Sequence, residues 1–125
     1  MPEEEEKRNF FRQQFPEPLE ANAQIVRIRE KEVETNILTA LILDMSAGGL
    51  RFRTHLSFPV TPLVLFNFDI KVLDRIVTVC GSIVRKEEIE KDMFEYGLQF
   101  SIDEHKREEI TQLLNRLSIR RRRGK

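Results

Sequence analysis

Between residues 20 and 100 apolar and polar positions either alternate or form short apolar runs bounded by charged and turn residues, the signature of β-strands. Six strands are predicted. The first spans about Ala21 to Arg29, with Val26 and Ile28 opposed to Arg27 and Arg29, and Glu30-Lys31-Glu32 makes the turn that follows. The second covers about Thr35 to Leu43 and is apolar on both faces, as suits a strand in the middle of a barrel. The third, Gly49 to Thr54, sets Leu50 and Phe52 inward and Arg51 and Arg53 outward, and pairs with the second across an Asp44–Gly48 turn. Pro59 and Pro62 make Leu56 to Pro62 a loop. Val64, Phe66, Phe68 and Ile70 mark one face of the fourth strand. The fifth runs from about Arg75 to Glu87, with Gly81 as a bulge or bend. After a charged turn at Glu88 to Asp92, the sixth carries Phe94, Tyr96, Leu98 and Phe100 on one face.

The period then changes to that of a helix. Ser101-Ile102-Asp103-Glu104 has the spacing of a capping box, and Ile110, Leu113, Leu114 and Leu117 fall on one stripe. Short strands closed off by one helix predict an all-β fold, an antiparallel six-stranded barrel with a C-terminal α-helix. The expected organisation is an acidic disordered start (1–7), a single domain (8–118) made of an arm (8–18), a barrel (20–100) and a helix (101–118), and a basic tail (119–125). Phe10, Phe11 and Phe15 would pin the arm to the barrel, while Pro16 and Pro18 keep it extended.

Composition narrows the function. With 125 residues, 40% hydrophobic and 34% charged, the chain is one globular domain, and no apolar run approaches the roughly 20 residues of a membrane helix. The Met-Pro start followed by Glu3 to Glu6 has no basic flank or apolar centre, so a cytoplasmic location without membrane insertion is expected. Cys80 is the only cysteine and packs in an apolar run. His55 and His105 are far apart, and no metal site is predicted. Zero net charge argues against general DNA or RNA binding. The basic run Arg120 to Arg123 with Lys125 reads as a solvated tail, as a contact for the acidic start, or as a site for an anionic partner.

Asp44-Met45-Ser46-Ala47-Gly48-Gly49 interrupts two apolar stretches. Its adjacent glycines permit positive φ and close approach of a ligand to the main chain, although a plain hairpin turn uses the same residues. Upstream, Arg8 and Arg12 lie four residues apart in the arm. A carboxylate, a hydroxyl, open backbone and two guanidiniums form a set complementary to a guanine nucleotide.

Arg8-x-x-x-Arg12, Asp44-x-Ser46-x-x-Gly49, Gly81-x-Ile83-Val84-Arg85 and Tyr96-Gly97-Leu98-Gln99-Phe100, in that order, resemble the PilZ domain family from Lys7 to Leu117. The resemblance implies a PilZ-type barrel that binds cyclic di-GMP, a bacterial second messenger, and acts as a regulator rather than an enzyme. By position the ligand residues would be Arg8, Arg12, Asp44, Ser46 and Gly49, with Lys7, Gly48 and Arg85 as further candidates. At Arg85 structural and ligand roles both stand, whereas Tyr96 and Gly97 are assigned to packing and strand geometry. The family pattern also implies that ligand binding orders the arm and alters contact with a protein partner in flagellar, pilus or polysaccharide machinery. Two departures are visible. Gln13-Gln14 stands where many members have an apolar residue and proline, and Lys7 replaces a first arginine, a position tied in the family to binding one nucleotide or a stacked pair. Lys7 is cationic and favours the pair.

Other readings fit the residues less well. A PilZ-like interaction domain without nucleotide binding should lack the arginines present here. An enzyme with Ser46 as nucleophile has no histidine placed beside it in sequence.

Overall fold

The computed structural model describes residues 12–123. The expectations for the acidic start, Lys7, Arg8, Phe10 and Phe11 therefore lie outside the described residues. In chain order the elements are β1 (Arg12–Ile28), β2 (Lys31–Glu32), β3 (Leu38–Ser46), β4 (Gly49–Thr54), β5 (Val64–Val72), β6 (Arg75–Glu90), β7 (Met93–Phe100) and α1 (Glu104–Arg123). Every neighbouring pair is antiparallel, and the order β1-β3-β4-β7-β6-β5 returns to β1, so six strands close into a ring with two-residue β2 attached to β1. The expected six-stranded sheet with a C-terminal helix is present.

β1 closes the ring because it is long enough to serve two neighbours. It pairs with β3 through Arg12–Gln14 and Leu19–Ala23, and with β5 from Ala21 to Ile28. Here the structure departs from the expected arm, since residues 12–18 are strand. The prolines lack an N–H and interrupt the ladder only between Gln14 and Leu19, and Phe15 is buried in that gap.

The ring interior is filled by alternate residues of each strand, including Ile42, Phe52, Phe66, Phe68, Ile83 and Tyr96. Phe52 packs edge-on against Phe68 (centroids 4.9 Å apart) and stacks on Tyr96 (5.0 Å). The buried Tyr96 hydroxyl donates to Leu56 O (2.7 Å) and accepts from Phe58 N (2.8 Å), which pins the loop after β4. Ile110, Leu113 and Leu114 of α1 are buried in the same core, and Arg75 at the β5–β6 hairpin reaches Glu109 (3.1 Å). Cys80 is half-buried, and desolvation pushes its thiol above the ordinary value.

β3 and β6 break their own alternation, as β1 does between Ile25 and Arg27 opposite β5. On β3, Ala40 and Ile42 face the core, but the register with β4 shifts between Ile42 and Asp44, so the next core residue is Met45. On β6, Val79 and Ile83 face the core, and a shift between Ile83 and Arg85 opposite β7 turns Arg85 outward. Each bulge adds one residue and thereby exchanges the faces of everything after it.

Several boundaries differ from the sequence reading. Asp44 to Ser46 belong to β3, leaving Ala47 and Gly48 between the strands, and Lys31-Glu32 pair with β1 beyond a tighter turn. β6 continues to Glu90, because charged residues are tolerated on a solvated strand. No bulge lies at Gly81, where a side chain would instead collide with the Gln99 carbonyl oxygen of β7. Asp103, not Ser101, caps α1: its Oδ1 accepts from Lys106 N (2.8 Å). The helix passes residue 118 to Arg123, because arginines are good helix formers and favour the negative end of the dipole.

Gly81→Ala should destabilise the fold by about 1–3 kcal/mol, since backbone must move to admit the methyl group. Gly97→Ala, where the new methyl would meet only the Arg85 side chain at 3.4 Å, should cost less than half as much in urea unfolding.

Candidate functional site

The bulge at Leu43 decides the site. Continued alternation from Ala40 and Ile42 would drive Asp44 and Ser46 into the apolar interior, where an unpaired carboxylate is prohibitively costly. The extra residue sends them to the outer face. There Arg12 stands opposite Ser46 on β1, Gln14 opposite Asp44, and Arg51 opposite Asp44 on β4.

Asp44 is nevertheless only 1% exposed, because two guanidiniums cover it. Arg12 Nη1 donates to Asp44 Oδ1, and Arg51 Nε donates to Oδ2 (2.7 Å). Arg51 continues through Nη1 to Glu95 Oε2 (2.8 Å), and Arg53 Nε meets the other oxygen of Glu95 (3.3 Å). The hydrogen bond to Asp44 raises the Arg51 guanidinium above its ordinary value, against desolvation, which lowers it. Arg51 therefore stays cationic at any physiological pH. Ser46 Oγ accepts from Gly48 N (3.1 Å) and lies 3.5 Å from Arg12 Nη2.

Beside this chain of charges opens a cleft of about 520 Å³, lined by Arg12, Ser46, Gly48, Gly49, Leu50, Arg51, Val84, Arg85, Gly97, Leu98, Gln99, Phe100 and Arg107. Gly97 is paired with Arg51 on one side and Arg85 on the other, so two cationic side chains flank a position with no side chain of its own. Neither Gly48 nor Gly49 has positive φ, so the conformational freedom the pair permits is not used. Gly49 is needed instead because any side chain would strike the Leu98 carbonyl oxygen of β7.

Arg12, Ser46, Gly48, Gly49 and Arg85 are thus brought to one cleft, with Asp44 directly behind Arg12 and Arg51. Lys7 and Arg8 lie outside the described residues. Arg51, Glu95 and Arg107 were missed by the sequence reading. Counting the hairpin back from the Asp44–Gly49 break sets Arg51 across from Asp44, and Arg107 interrupts the apolar phase of Ile110 and Leu114, so both left a signal. Among the described residues no His, Cys, Asp and Glu cluster could hold a metal ion, and no helix is long and apolar enough to cross a membrane. His55 follows the far end of β4 from Ser46, with Nδ1 2.8 Å from Asp92 O.

The charge chain is asymmetric in stability. Arg51→Ala leaves a buried carboxylate short of one partner and should cost about 1–3 kcal/mol. Asp44→Asn leaves arginine side chains that are 43% and 33% exposed and able to hydrate, so it should cost no more than about 1 kcal/mol. Urea unfolding of the two variants checks the order.

The sequence matches the family model for the PilZ domain over residues 6–116. Among curated proteins no sequence match is found. In the solved structures, the fold is similar to the PilZ domain of YcgR from Escherichia coli with c-di-GMP (TM-score 0.68, 13% identity, 94% of this chain and 96% of that one). It is similar also to the Bacillus subtilis inhibitor of motility MotI/DgrA (TM-score 0.67, 16% identity, 91% of this chain), of which it spans 52%. A third likeness is the PilZ domain of CeSA from a cellulose synthesizing bacterium (TM-score 0.58, 13% identity, 86% of this chain and 93% of that one). With the family model covering nearly its whole length and the ring of strands closed by a C-terminal helix, the chain belongs to the PilZ domain family.

Proposed function

We propose that the protein is a cyclic di-GMP receptor in which the nucleotide occupies the cleft between β1, β3–β4 and β6–β7. The observation that carries this reading is convergence: Arg12, Ser46, Gly49 and Arg85, from separate stretches of sequence, line one cleft together with Arg51 and Arg107. A cleft of about 520 Å³ suits a small-molecule ligand, and the guanidiniums suit its two phosphates and the O6 and N7 edges of guanine. The Escherichia coli YcgR domain, similar in fold, was solved with c-di-GMP.

Asp44 supplies the base selectivity. Its carboxylate accepts from guanine N1 and N2, donors that adenine does not present together. Arg12 occupies Asp44 Oδ1 and must move onto the ligand to free that contact. Lys7 and Arg8 then join from the N-terminal side and complete the clasp around a stacked nucleotide pair. The ordered arm presents a new surface to a protein partner in flagellar, pilus or polysaccharide machinery in the cytoplasm. MotI/DgrA, described as an inhibitor of motility, and CeSA mark the kinds of system in which similar folds occur. The role is regulatory and non-catalytic.

The competing reading is an interaction domain that binds no nucleotide. It draws on one feature: Asp44 has a cation of this chain on each oxygen, so its charge is satisfied within the chain. Calorimetry with cyclic di-GMP, with GTP and cyclic di-AMP as controls, separates the two. Heat with cyclic di-GMP alone is expected, at two nucleotides per chain, and Arg12→Ala should weaken binding by roughly ten- to hundredfold. No heat from the native chain would leave the interaction domain as the function.

A further inference from the structure

We infer that Arg51, braced by Glu95, is a positioning residue that sets guanine selectivity by holding the Asp44 carboxylate, without itself reading the base. The inference rests on the cyclic di-GMP reading above. Asp44's two cations are not equivalent. Arg12 begins β1, where three residue pairs with β3 are cut off from the rest of the ladder by the proline segment, and its side chain is 43% exposed. Arg51 lies inside β4, hydrogen-bonded strands on both sides, and its guanidinium is tied at one edge to Asp44 and at the other to Glu95. Glu95 is in turn held by Arg53.

When a ligand enters, Arg12 is the cation free to leave and Arg51 the one that stays. Oδ1 of Asp44 is then released to accept from the guanine N1 and N2 donors together, while Oδ2 remains on Arg51 Nε. A carboxylate fixed at one oxygen presents the other in a single direction, and a hydrogen bond discriminates between bases only when its direction is set. Lysine at position 51 keeps the charge but lacks the planar fork that spans Asp44 and Glu95 together.

The test compares cyclic di-GMP with cyclic di-IMP, whose hypoxanthine lacks the 2-amino group but keeps the ring, the O6 and the phosphates. Native protein should prefer cyclic di-GMP by roughly tenfold or more. In Arg51→Lys the preference should fall to about one, chiefly through weaker cyclic di-GMP binding, and in Glu95→Gln it should fall part of the way. Glu95→Gln removes only the brace and keeps the assignment testable if Arg51→Lys does not fold, which circular dichroism reports. Equal loss for both ligands in the folded variants would mean that Arg51 touches phosphate or merely supports the fold, and would overturn the assignment while leaving the receptor function intact. Absence of binding to either ligand by the native chain would overturn the receptor reading itself, and this inference with it.

Discussion

A strand alternates with a period of two, and the site exists because two strands violate that period at chosen places. The extra residue at Leu43 turns Asp44 and Ser46 out of the core, and the one at Val84 does the same for Arg85. Without the first, a carboxylate would enter a space filled by Phe52, Phe68 and Tyr96. The bulges therefore allow one short stretch of sequence to supply both the core and the cleft. Met45 packs inside the ring between two polar neighbours that do not.

Moving Asp44 to the outer face solves only half of the problem, since the cleft wall buries it there as well. A buried charge is tolerated when its partners are well placed, and removing one partner is more damaging than the pair is stabilising. Here the partners come from β1 and β4, so the carboxylate fastens two of its neighbours to β3. The fastening is uneven. The β4 side is part of a closed ring, whereas the β1 side depends on the short ladder before the prolines. Stability and exchange are thus divided between the two arginines that hold the same group.

Much of the fold was legible in the sequence. β4 was placed to the residue, and the inward faces of β5 and β7 were read directly from Phe66, Phe68, Tyr96 and Leu98. These strands keep a strict period of two, so local pattern and tertiary burial agree. The start of β1 was hidden because Pro16 and Pro18 are poor strand residues in isolation, and only pairing with β3 across a gap makes residues 12–14 a strand. The Asp44–Gly49 stretch looked like a loop for a related reason: polar residues mark loops, and nothing local says that Arg12 and Arg51 will bury one of them. The glycines misled in detail. Gly49 serves close approach to β7 without positive φ, and Gly81 serves the same rather than a bulge, a requirement that depends on which carbonyl lies opposite.

Zero net charge argues against general nucleic-acid binding, but net charge averages over a surface that a ligand samples at one place. In the cleft Arg12, Arg51, Arg85 and Arg107 converge, while Asp44 lies behind them and not in the lining. Asp44, Glu95 and, through Arg107, Glu104 offset part of that charge, and Arg85 forms no ion pair among the described residues. The cleft thus retains positive potential, focused by low-dielectric walls, on a chain that is neutral overall. Such a site attracts a compact anion strongly and an extended polyanion weakly, because beyond the cleft mouth acidic and basic side chains are mixed and salt screens what remains within about 10 Å. The proposed receptor role asks no more of a neutral chain than this: cationic groups gathered at the one place where a small cyclic phosphodiester would sit.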